Sequence, residues 1–151
     1  GVFPAAGFMA LGGMIGVGSD SNVRIDAAEE LRLLEYGQRL TQRARNVLAD
    51  AGRPATGARL FAAAVAGGGR SLGVGTGLAA GRPADIVSLN RDDPAFAERS
   101  GDALIDSWVF ASRHGIDCVW RGGVKQVAGG RHRHRDAIEA RYRTALARLT
   151  A

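Results

Sequence analysis

Cysteine is almost absent. Cys118 is the only one in 151 residues, which excludes an intrachain disulfide and any cysteine-based zinc cluster and suits a reducing cytoplasm. Lysine is equally scarce, since Lys125 stands alone and the remaining 19 of 20 basic residues are arginine. The formal balance is 20 − 15 = +5. Because the arginines alternate with acids along most of the chain, they predict a solvated mixed-charge surface and not a nucleic-acid interface. Only residues 131–135 are locally basic. No period-three glycine pattern is present, so the 22 glycines imply many tight turns and not a collagen-like chain. With 46% hydrophobic and 23% charged residues, the composition is that of a globular protein of one to one and a half domains.

Residues 1–18 carry no charge, which formally meets the length of a membrane span. Six glycines and Pro4 interrupt the stretch, and no basic flank or initiator methionine makes it a signal peptide. The expectation is a short helix, a turn and a strand over residues 14–17 buried on both faces, as in a parallel sheet, in a chain that begins in mid-domain.

Asp26 and Glu29 form a capping-box pattern that starts a helix. Leu33, Tyr36, Leu40, Ala44, Val47 and Leu48 recur at three- and four-residue steps, with Glu35 and Arg39 paired on the outer face, so this helix is predicted to reach about residue 51, before Gly52 and Pro54. Thr56 is expected to cap a second helix to about residue 66. The seven glycines of residues 67–81 predict a loop. A strand is expected over 85–89, a turn at Asp92-Asp93-Pro94, a helix over 102–111, and a hairpin over 118–127 turning at Gly122-Gly123. Ile138, Tyr142, Ala145, Leu146 and Leu149 share one face of a terminal helix, with Asp136 and Glu139 at its positive end.

Asp20 is the strongest candidate for chemistry. A carboxylate on a tight turn directly after a buried strand sits at that strand's carboxyl end, where α/β folds place their sites. The pattern is equally that of an aspartate capping its turn. Ser19, Ser21 and Asn22 could orient it, or be ordinary turn residues. His132 and His134 have the spacing of a metal-binding pair, but they lie ahead of a helix between arginines with no third ligand at hand, and a metal role is not expected. His114 is read as a surface or loop histidine. Residues 75–80 satisfy a loose dinucleotide fingerprint without the strand and helix it needs, so no cofactor-binding residue is assigned.

The run Ile15-Gly16-Val17-Gly18-Ser19-Asp20-Ser21-Asn22, followed by Glu29-Glu30-Leu31-Arg32-Leu33-Leu34-Glu35-Tyr36 and Gln38-Arg39-Leu40, resembles the region after the eighth barrel strand of formimidoylglutamate deiminases, in the amidohydrolase superfamily. Residues 78–89, with Gly81 and Ala84-Asp85-Ile86-Val87, are similar to the superfamily's segment that leaves the barrel for a small β-rich domain. Trp120-Arg121-Gly122-Gly123-Val124 resembles that domain's closing strands. The first block is the more specific; the second is shared by many amidohydrolases.

The resemblance implies an α/β chain forming the carboxyl-terminal part of a (β/α)8 metal-dependent hydrolase barrel (residues 1–73), part of a small β-rich domain (74–130) and a terminal helix (131–151). It implies a cytoplasmic enzyme that hydrolyses N-formimino-L-glutamate to N-formyl-L-glutamate and ammonia in histidine degradation. Zinc is the implied cofactor, and Asp20 the implied catalytic residue and metal ligand. A zinc ion lowers the pKa of bound water to about 7, and the neighbouring carboxylate acts first as base and then as acid. A small-molecule substrate is expected, with no nucleic acid and no membrane, and association of the parent enzyme as a homodimer.

A complete barrel takes about 250 residues, and the family's His-x-His pair and later barrel histidines have no counterpart in this sequence. His132 and His134 stand on the wrong side of the β-rich segment in chain order. The expectation is therefore one ligand of several and a chain inactive alone, since a lone aspartate does not hold zinc tightly. The residues that grip the substrate are not identified. Two alternatives are another metal-dependent deaminase, a guanine or cytosine deaminase relative, and a non-catalytic α/β binding module.

Overall fold

The structure, a computed structural model, describes residues 1–21 and 23–150. It divides the chain into two compact units: residues 1–82 with 91–113, and residues 83–90 with 114–151.

The first unit is helical, built from α1 (Ala5–Ala10), α2 (Ala27–Gln42), α3 (Thr56–Leu72) and α4 (Asp102–Phe110), with a 3-10 turn at Pro94–Phe96. Asp26 starts α2 as expected: its extended backbone frees the side chain to accept from the amides of Ala28 (2.9 Å) and Glu29 (3.2 Å). The reciprocal half of the capping box does not form, because Glu29 turns to Arg24 at 2.8 Å.

The helix also ends at Gln42, nine residues before the expected stop, with Arg43 left-handed at φ 52°. Glu35 supplies the physical reason. Its side chain is fully buried, not on the outer face, and it accepts from Arg39 Nε (2.6 Å) and from the amides of Val47 (3.0 Å) and Leu48 (2.9 Å). A buried carboxylate needs several donors, and the chain folds back over α2 to provide them.

The stripe of α2 that packs is Ala28, Leu31, Glu35 and Gln38, whereas Leu33, Tyr36 and Leu40 face outward, Leu40 at 82% exposure. Gln38 ties the amino-terminal segment down, donating to the Phe3 carbonyl (2.7 Å) and accepting from the Ala6 amide (3.3 Å).

The second expected helix runs six residues beyond residue 66, through three of the glycines assigned to a loop. A Cβ on Gly67 would collide with the Ile15 carbonyl. Glycine there lets the backbone of residues 15–16 lie directly on α3, a packing use that outweighs its poor helix propensity. Thr56 is not the cap but the first helical residue. Asp106 of α4 takes the capping role across the fold, accepting from the amides of Gly57 (2.6 Å) and Ala58 (3.1 Å).

Residues 14–17, expected as a strand buried on both faces, form no strand. They have no ladder partner among the described residues, and only Ile15 is buried while Met14 and Val17 are exposed. Ile15 joins Ala5, Leu31, Leu48, Leu60 and Val109 in the core of this unit.

The second unit holds a four-stranded antiparallel sheet in the order β1 (Ile86–Leu89), β2 (Ile116–Arg121), β3 (Val124–Ala128), β4 (Arg131–His132). The β2–β3 hairpin turns where expected, with Gly122 and Gly123 at φ 55° and 78°, the left-handed pair a tight two-residue turn requires. The two-residue β4 was not expected. Last comes α5 (Arg135–Leu149), which buries none of its residues, so the predicted apolar face of Ile138, Tyr142, Leu146 and Leu149 stands exposed. Asp136 pairs with Arg131 and Glu139 with Arg135.

The chain is thus a mixed α/β structure whose only described sheet is antiparallel. No described helix is long and apolar enough to cross a membrane.

Candidate active site

Asp20 lies on the turn that follows the extended run 14–18. Its backbone is left-handed at φ 44°, a conformation that aspartate tolerates better than most side chains. The residue is exposed, and among the described residues its carboxylate takes part in no hydrogen bond or ion pair. By contrast, Asp26, Asp93 and Asp106 all accept backbone amides at helix starts. Among the described residues, Asp20 caps no backbone amide. Asn22 lies outside the described residues, and Ser19 and Ser21 make no hydrogen bond to Asp20.

Beside this run is an open hollow of about 260 Å³ between residues 15–18, Phe3 and the first turns of α2. Its lining is apolar apart from Glu30. Its described lining holds no cation. Arg24, the first cation after Asp20, is engaged by Asp26 (3.5 Å) and Glu29 (2.8 Å). The amino-terminal turn of α2 carries Glu29 and Glu30 besides Asp26, which cancels the attraction a bare helix end has for anions.

The remaining candidates fall away from Asp20 in sequence and chemistry. His132 and His134 sit at the β4–α5 junction with ring centroids 5.7 Å apart. The Nδ1 of His132 accepts the His134 amide at 3.2 Å, so that nitrogen is engaged within its own turn. His114 is exposed in a loop, and residues 75–80 form a connection with no helix opening from it, as expected.

Sequence reasoning paired Glu35 with Arg39 but missed the burial of Glu35, and it missed Asp106 over the start of α3 and Arg59, which donates to the Leu48 carbonyl (2.6 Å) and pairs with Asp50. The Arg59 guanidinium beside it, with the Arg53 amide, holds the Asp50 carboxyl below the ordinary aspartate range. Arg135 does the same for Glu139. No local motif announces such long-range pairs; the closest signal was the four-residue spacing of Glu35 and Arg39.

None of the protein-family models matches the chain. Its sequence is 47% identical, over 134 residues, to the formimidoylglutamate deiminase of Pseudomonas aeruginosa, covering 87% of this chain and 30% of that protein. Its fold superimposes over its whole length on the crystal structure of an amidohydrolase from Brucella melitensis, at a TM-score of 0.91 and 49% identity.

Over most of its length the chain is similar to one part of a formimidoylglutamate deiminase.

It spans about a third of the length of each relative: 30% of the Pseudomonas deiminase and 33% of the Brucella amidohydrolase. The expected family resemblance is therefore met, and both relatives carry the names of hydrolytic enzymes. The implied metal finds no complete ligand set among the described residues. Among the described residues, no three of His, Cys, Asp and Glu come together as ligands, and Asp20 is a single donor where tight zinc binding needs three or four.

Proposed function

We propose that this chain supplies the end of the catalytic barrel, part of the small β-rich domain and the terminal helix of an enzyme that hydrolyses N-formimino-L-glutamate to N-formyl-L-glutamate and ammonia, in histidine degradation. One observation carries the reading. Asp20 is an exposed carboxylate on a left-handed turn, within the block of sequence that most closely resembles the deiminases.

The chemistry asked of Asp20 is proton transfer. Starting from the protonated formimino group, water adds to its carbon while Asp20 takes one water proton; Asp20 gives that proton to the terminal nitrogen, the carbon–nitrogen bond breaks to release ammonia, and the adduct hydroxyl loses its proton to Asp20 as the formyl C=O forms. An exposed carboxylate is available for both directions, and such positioned acid–base groups contribute on the order of 10²- to 10⁴-fold. Zinc is the metal proposed for the parent enzyme, with Asp20 the one ligand from this chain and the others, like the groups that grip the substrate carboxylates, in the part of the polypeptide that the relatives have in addition. A cytoplasmic homodimer acting on a small molecule, without nucleic acid or membrane, completes the proposal.

The test is a hybrid in which this chain replaces the corresponding third of the Pseudomonas deiminase. Ammonia release from N-formimino-L-glutamate is expected, with none from guanine or cytosine. A folded, metal-loaded hybrid that is silent on N-formimino-L-glutamate while the unaltered deiminase turns over contradicts the proposal.

A further inference from the structure

We draw no further inference here: the strongest candidate, the exposed apolar stripe of α5 formed by Ile138, Tyr142, Leu146 and Leu149, carries nothing because nothing in the structure shows what covers it.

Discussion

Glu35 shows how one buried charge can set the course of a chain. Both its oxygens accept backbone amides from the returning segment, and Arg39 adds a charge-assisted bond. Replacing Glu35 by Ala strands the Val47 and Leu48 amides. Hydrogen bonds to a charged acceptor contribute about 1.5–3 kcal/mol, so exchange of those two amides should accelerate on the order of ten- to a hundred-fold. Unchanged protection would show that the loop is held by something else. Asp50 offers a second test at this scale. Its lowered pKa means that the favourable Asp50–Arg59 interaction is present above the ordinary aspartate value and is lost as pH falls through the native one. An NMR titration of Asp50 should give a midpoint below that of an unperturbed aspartate, and Arg59→Ala should move it upward.

At the scale of elements, α3 separates two uses of glycine at adjacent positions. A methyl at Gly67 meets the Ile15 carbonyl, whereas one at Gly68 meets nothing within 4 Å. Gly68→Ala should therefore stabilise by up to about 1 kcal/mol through helix propensity. Gly67→Ala should destabilise by about 1–3 kcal/mol through overpacking. Urea unfolding of the two variants checks the pair, and equal midpoints would refute the close approach of residues 15–16 to α3. Asp106→Ala, which leaves the Gly57 and Ala58 amides uncapped, should cost about 1–2 kcal/mol in the same measurement.

These elements also mark what the sequence could express. Starts and turns were legible where the residues responsible are neighbours in the chain: Asp26 ahead of α2, and Gly122-Gly123 between β2 and β3. The end of α2 was not, because the donors to Glu35 lie twelve and thirteen residues away. The helical glycines were misread as a loop because the carbonyl that requires Gly67 belongs to Ile15, far off in sequence. Likewise α2 carries two stripes that satisfy helical spacing, and periodicity could not tell which one packs. The polar members of the buried stripe, Glu35 and Gln38, are residues that a hydrophobic pattern discards. Of the candidate site, the position of Asp20 on a turn was legible; its exposure and left-handed backbone were visible only in three dimensions.

For the molecule as a whole, the unusual feature is how much apolar surface it leaves open. Phe3, Met14, Leu33 and Leu40 in the first unit and Ile138, Tyr142 and Leu149 in the second are all exposed. Exposed apolar side chains in this number favour association. The isolated chain should self-associate at micromolar concentration, which sedimentation velocity would detect; a monodisperse monomer would contradict that expectation. In the hybrid enzyme the same surfaces are expected to be covered, so the hybrid should not show this behaviour. The excess of arginine is not expected to confer nucleic-acid binding, and a steep loss of binding on raising salt would favour the alternative of a binding module.

The most direct test of the account is the Asp20→Asn hybrid assayed for ammonia release from N-formimino-L-glutamate beside its unaltered counterpart. Asparagine keeps the left-handed turn and the volume while removing the proton-accepting charge. The account predicts a fall in kcat on the order of 10²- to 10⁴-fold with folding intact by circular dichroism. Turnover equal to that of the unaltered hybrid would remove Asp20 from the chemistry and with it the functional reading of this turn.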